Sequence, residues 1–151
     1  MNHLTAEQQA TIQAALDILS GLFQRLPLEA TMPQYVKDYC RLQIGHLEHE
    51  VFGVLYLDNQ HHLIHFEPLF RGTIDGASVY PREVVKQVLN WNSAAVIFCH
   101  NHPSGVTEPS AADKRITSRL IEALRLIDVR VLDHIIVSNV GDFSFAEQGL
   151  L

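Results

Sequence analysis

The apolar positions of this chain change period several times, and each change marks an element. Ile12, Leu16, Leu19, Phe23 and Leu26 recur at helical spacing. Thr5-Ala-Glu-Gln8 ahead of them has the form of a capping box that opens the helix, and Pro27 stops it. Thr31-Met-Pro-Gln34 offers a second helix start and Gly45 an end. Residues 51–57 are a short apolar run closed by Asp58-Asn59, and residues 62–70 resume as a strand, so the pair predicts a hairpin. Arg71-Gly72-Thr73 leads into a loop. Tyr80-Pro81 opens a third helix, with proline at its first position and Val84, Val85, Val88 and Leu89 facing inward. Residues 94–99 are continuously apolar, as in a strand covered on both faces. Residues 101–109 form a loop rich in Pro, Gly and Ser. A helix follows from Ser110, with Ile116, Leu120, Leu124 and Ile127 on one stripe. Residues 129–131 and 135–138 read as two closing strands. Helices and strands mix without strict alternation, which predicts an α/β (α+β) sandwich around a mixed central sheet.

Composition adds bounds to this picture. A chain of 151 residues fits one domain, and 47% hydrophobic with 19% charged residues is ordinary for a globular protein. The net charge of −6 argues against strong intrinsic nucleic-acid binding, which needs clustered Lys and Arg, although 11 basic residues could supply a local patch. Cys40 and Cys99 give no disulfide framework and read as buried small apolar residues. The N-terminal stretch does not resemble a signal peptide, and no apolar run approaches the ~20 residues of a membrane span, so a cytoplasmic protein is expected. Residues 1–30 read as a helical arm able to pack on a partner subunit in a homodimer, and residues 31–151 as the main domain.

The chemistry concentrates in residues 100–113. His100 and His102 stand two apart at the end of the buried strand, so alternation puts both imidazoles on one face, ~7 Å apart at the backbone. Asn101 points the other way, as does Cys99. Asp113 falls in the first turn of the next helix, where its carboxylate can face back toward the strand end. Two imidazoles and one carboxylate make a three-ligand Zn2+ set with a fourth position open. Ser110 and Asp113 also have the spacing of a capping box, in which Asp113 satisfies backbone donors alone. His61, His62 and His65 read as solvent-facing or edge residues of the hairpin. His134 reads either as an outer partner of a metal-holding imidazole or as a hydrogen-bonded core residue.

The pattern resembles the JAMM motif of the MPN superfamily: an upstream Glu, then H-x-H, seven residues, Ser, two residues and Asp. His100-Asn-His102, Ser110 and Asp113 match it without a gap. His-Asn-His-Pro-Ser-Gly followed by Pro-Ser-Ala-Ala-Asp is similar to the RadC branch. So are Gly72-Thr73, Tyr80-Pro81-Arg82 and Asp133-His134-Ile135-Ile136, in that order, and the resemblance covers residues 31–151. It implies a cytidine-deaminase-like MPN/JAB fold and a JAMM-type zinc metallopeptidase cleaving peptide or isopeptide bonds with a metal-activated water. His100, His102 and Asp113 would hold the metal, and Ser110 would donate to the oxyanion. Glu50, in Glu50-Val-Phe-Gly-Val-Leu55, would be the general base, with Glu48 as runner-up. The chain departs from the superfamily's deubiquitinases, which have Ser or Thr where Asn101 stands. It also shows only a short helix where full-length RadC proteins begin with a helix-hairpin-helix domain. The expected partner is therefore a peptide or protein substrate. The alternative is a non-catalytic or accessory factor in DNA repair or mobile-element biology. A zinc nuclease is a weaker rival, given the acidic balance and single-metal ligand set.

Overall fold

Thr5 opens the chain's first helix as its spacing predicts. The Thr5 hydroxyl accepts from the Gln8 backbone N–H at 3.1 Å, and the Gln8 amide oxygen accepts from the Thr5 N–H at 2.9 Å. The computed structural model describes residues 3–72 and 77–151. Their order is α1 (Ala6–Arg25), a 3-10 turn (Leu28–Ala30), α2 (Pro33–Ile44), β1 (Val51–Leu57), β2 (Leu63–Arg71), α3 (Pro81–Asn90), β3 (Ala95–Asn101), α4 (Ala111–Arg125), β4 (Arg130–Val137) and β5 (Asp142–Ser144). Thr31 does not cap α2. Its hydroxyl donates to the Leu28 carbonyl at 2.7 Å and closes the preceding turn, while α2 starts on Pro33. Thr73 lies outside the described residues.

The sheet runs β2-β1-β3-β4-β5. β1 is antiparallel to both β2 and β3, β3 and β4 are parallel, and β5 returns antiparallel to β4. The parallel pair needs a crossover, and α4 supplies it. The two expected closing strands are one, β4. The residues between the two expected runs continue the strand, with Asp133 in register opposite Ile97. Its carboxylate accepts from the backbone N–H groups of His134 at 2.7 Å and Ala146 at 2.9 Å, and from the Ser144 hydroxyl at 2.6 Å. The strand can therefore carry it through. β5, at three residues, is too short to show a period.

Alternation along β1 and β3 divides the core in two. Val51, Leu55, Leu57, Ile97 and Cys99 pack with Leu16, Phe23, Val36, Tyr39 and Cys40 from α1 and α2. Phe52, Val54, Tyr56, Val96 and Phe98 pack with Val84 and Val88 of α3 and Leu120 and Leu124 of α4. The apolar stripe of α1 is thus covered within the chain, and a homodimer through α1 would use its outer side, where Ile18 is 72% exposed. Leu89 was expected inward and is 61% exposed. It lies one residue past Val88, about 100° off the buried stripe of a 3.6-residue helix. No described helix is long and apolar enough to cross a membrane.

Gly53 lies in the crowded centre of β1. A Cβ there would stand 2.8 Å from Phe66 Cε2 and 3.3 Å from Cys99 Sγ. Gly53→Ala is expected to cost about 1–3 kcal/mol, the usual range for overpacking a core. Urea denaturation measures this, and an unshifted midpoint would mean that the Phe66 ring simply swings aside.

Candidate metal centre

The alternation that divides the core also gathers the chemistry on the α4 face. His100 follows Val96 and Phe98 along β3 and sits in register opposite Phe52. Glu50 stands just before β1, in step with Phe52 and Val54. The Ser110 hydroxyl caps α4 by accepting from the Asp113 N–H at 3.0 Å, and Asp113 Oδ2 accepts from the Ser110 N–H at 2.8 Å. The capping reading of Asp113 is therefore true, and incomplete. Its Oδ1 is also 3.3 Å from His100 Nε2, and its Oδ2 3.3 Å from His102 Nε2. His102 lies one residue beyond β3, anchored by its N–H to the Val137 carbonyl at 2.9 Å. Its Nδ1 is 2.6 Å from the Val106 carbonyl. A carbonyl only accepts, so Nδ1 donates, and a neutral ring then presents its Nε2 lone pair to the centre. Glu50 Oε1 is 3.8 Å from His100 Nε2 and 3.9 Å from His102 Nε2.

One ligand atom from each of Glu50, His100, His102 and Asp113 lies within 4.8 Å of the others. A tetrahedral zinc with bonds of ~2.0–2.1 Å sets its ligand atoms about 3.3 Å apart. The two imidazole–carboxylate separations of 3.3 Å have that value. The two Nε2 atoms, at 2.8 Å, are closer and would open by about half an ångström. Glu50 stands farther out, with its Oε1 at 3.8 and 3.9 Å from the two Nε2 atoms. Two imidazoles and a carboxylate also suit zinc as donors.

The electrostatics agree. Burial alone would raise the Asp113 carboxyl, but hydrogen bonding to His100 and His102 and the His100 charge hold it far below the usual carboxylate range. Burial pushes the Glu50 carboxyl up from its ordinary value; His100 and His102 oppose this and the Asp113 carboxylate adds to it. A cavity of about 180 Å3 opens at Glu50, His100 and Asp113, walled by Phe52, Ala77, Val79, Ala112 and Ile116.

Ser110 is exposed at the α4 N-cap, where the cap uses its oxygen as an acceptor. Glu48 is exposed and faces His3 at 3.3 Å, outside the cluster. His61 pairs with Glu29 and Arg130, His62 faces Asp58 at 3.2 Å, and His65 stacks on Trp91 with ring centres 4.1 Å apart. None of them belongs to the cluster.

Two contributors were not legible in the sequence. Asn101 does point away from the metal side, and there it clamps the chain around Glu50. Its Oδ1 accepts from the Val51 N–H at 2.7 Å, and its Nδ2 donates to the His49 carbonyl at 2.9 Å and the Leu47 carbonyl at 3.3 Å. Gly72 adds a bond from its N–H to the Glu50 carbonyl at 2.8 Å. Thr117 is buried one turn beyond Asp113, and its Oγ1 lies 2.6 Å from His134 Nδ1. A hydroxyl inside the apolar stripe of Ile116, Leu120 and Leu124 was the available signal.

A family of RadC-like JAB domains matches residues 30–150. The chain belongs to this family. It is 57% identical over 147 residues to a UPF0758 protein of Leptothrix cholodnii, covering 97% of this chain and 65% of that protein. A UPF0758 protein of Vibrio cholerae is 53% identical over 146 residues, covering 97% and 91%. One of Cellvibrio japonicus is 63% identical over 119 residues, covering 79% and 53%. The chain thus spans about two thirds of the Leptothrix protein and half of the Cellvibrio protein.

Proposed function

We propose that this RadC-like JAB domain is a zinc-dependent hydrolase of peptide or isopeptide amide bonds. The convergence of His100, His102 and Asp113, with Glu50 one step outside them, is the observation that carries the reading. Zinc, when bound by those three, supplies the Lewis acidity that brings the pKa of a water down to ~7. Glu50 takes the proton of the attacking water and delivers it to the leaving amine. The Ser110 hydroxyl keeps its hydrogen to donate to the oxyanion that develops on the carbonyl. Asn101 holds the backbone on both sides of Glu50, so the carboxylate meets the carbonyl in one place. The apolar walls of Phe52, Val79 and Ile116 favour a peptide side chain beside the reacting bond over a phosphodiester. The test is elemental analysis of the purified chain together with cleavage of a peptide library. About one zinc per chain is expected, with cleavage abolished by a chelator and restored by zinc.

A second reading, an accessory factor acting beside DNA, is favoured by one observation. Arg82 and Lys86 on α3, and Lys114, Arg115, Arg119 and Arg125 on α4, are all exposed. On that reading the chain keeps zinc, cleaves no peptide and binds duplex DNA with an affinity that falls steeply with salt. The net charge of −6 supports the hydrolase reading with weak intrinsic DNA binding.

A further inference from the structure

His134 lies at the centre of the α4 face with none of its surface exposed. It reaches this place from β4, in register beside Phe98. Its ring stacks on Phe145 with centres 4.6 Å apart, and the rings of Phe52 and Phe98 stand against it at 5.4 and 6.0 Å. Within this apolar cage both ring nitrogens have partners. Nε2 is 2.7 Å from His100 Nδ1, and Nδ1 is 2.6 Å from Thr117 Oγ1. Thr117 Oγ1 in turn donates to the Asp113 carbonyl at 2.7 Å. Three short bonds thus join one imidazole of the metal set to the helical turn that carries its carboxylate.

Donor chemistry fixes the order of hydrogens along this chain once His100 holds a cation. A neutral imidazole has one N–H and one lone pair. If His100 Nε2 gives its lone pair to the metal, Nδ1 carries the hydrogen and His134 Nε2 must accept it. The hydrogen of His134 is then on Nδ1 and goes to Thr117 Oγ1. The hydroxyl's own hydrogen goes to the Asp113 carbonyl, which can only accept. Every group is satisfied once. The reverse order would end with a hydrogen on His100 Nε2, aimed at the ion.

We propose that His134, braced by Thr117, is a positioning residue that holds His100 with its hydrogen on Nδ1 and its Nε2 lone pair turned to the metal. The proposal rests on the hydrolase reading above for the metal itself. The bond from Thr117 to Asp113 gives His134 a second effect: it locks the His100 ring and the Asp113 turn into one frame, so the two ligands keep their separation.

Two measurements test this without using turnover. The first is ring 15N–1H correlation NMR of the zinc-loaded protein, in which His134 is expected to carry its hydrogen on Nδ1. The second is zinc affinity by competition with a chromophoric chelator, with metal-free thermal unfolding measured alongside. Thr117→Val keeps the shape and removes the acceptor, and His134→Phe removes both bonds. Each is expected to weaken zinc binding ~10–100-fold. Thr117→Ser restores the hydroxyl, and His134→Gln places an amide oxygen that can accept from His100; both are expected to recover most of the affinity. Should His134→Phe fail to fold, the two Thr117 variants decide. Wild-type affinity in folded Thr117→Val, or a hydrogen on His134 Nε2 with zinc loaded, overturns the positioning role alone. Failure of the wild type to bind zinc overturns the hydrolase reading and the positioning role together.

Discussion

Glu50→Gln should fold normally, keep its zinc and lose peptide cleavage by ~10²–10⁴-fold, the usual contribution of a general base. Gln matches Glu in shape and cannot take a proton from water. Zinc should survive because Glu50 Oε1, at 3.8 and 3.9 Å from the imidazole nitrogens, stands outside the ligand spacing that Asp113 satisfies. Glu48→Gln is the control. Its carboxylate is exposed beside His3, so cleavage should be unchanged. The zinc content of Glu50→Gln is as informative as its rate. Loss of the metal would make Glu50 a fourth ligand. Four protein ligands close a tetrahedral site, and closed sites are structural rather than catalytic. That result would favour the accessory-factor reading.

Much of this arrangement is legible in the sequence, because strand parity and helix phase are local rules. The apolar run before His100 announced a strand covered on both faces, and parity then put His100 and His102 on one side and Asn101 on the other. The N-cap spacing of Ser110 placed Asp113 in the first turn of α4, with the carboxylate near the strand end. The Glu50 and Glu48 ambiguity arose because both share a parity. The resemblance put Glu50 first, and of the two it is Glu50 that lies with His100, His102 and Asp113, while Glu48 faces His3. The unread parts are pairings between distant residues. Thr117 with His134, and Asn101 with Val51, join side chains that no period relates. The continuity of β4 depends on such pairings too. Asp133 looks like a strand breaker until its partners Ser144 and Ala146, more than ten residues on, are in place. Periodicity encodes which face a residue takes; it carries no information about which atom it meets there.

Asp113 and Ser110 share one capping box, and the variants Asp113→Ala and Ser110→Ala should nevertheless fail in different ways. On the hydrolase reading, Asp113→Ala removes one of the three side chains that would hold the metal. Loss of an outer partner alone costs 10–100-fold in metal affinity, so loss of this ligand should exceed ~10²-fold and abolish cleavage. The metal-free protein should lose stability too, through the loss of the carboxylate that faces His100 and His102 at 3.3 Å, while the cap itself contributes little of that loss. The Ser110 N–H that Asp113 accepts is at an exposed helix end, where water can replace the carboxylate. Ser110→Ala removes the N-cap hydroxyl that the Asp113 N–H uses. It should cost ~1 kcal/mol of stability whether or not metal is present. Its zinc should stay, because His100, His102 and the Asp113 carboxylate are intact, and cleavage should fall ~10²–10³-fold through loss of the oxyanion donor. Elemental analysis, thermal unfolding with and without chelator, and the peptide assay together separate the two patterns. Full zinc occupancy in Asp113→Ala, with only a stability loss, would reduce Asp113 to a capping residue and remove the metal reading. Wild-type cleavage by Ser110→Ala, with stability lowered as expected, would confine Ser110 to the cap and leave the oxyanion to be held by zinc alone.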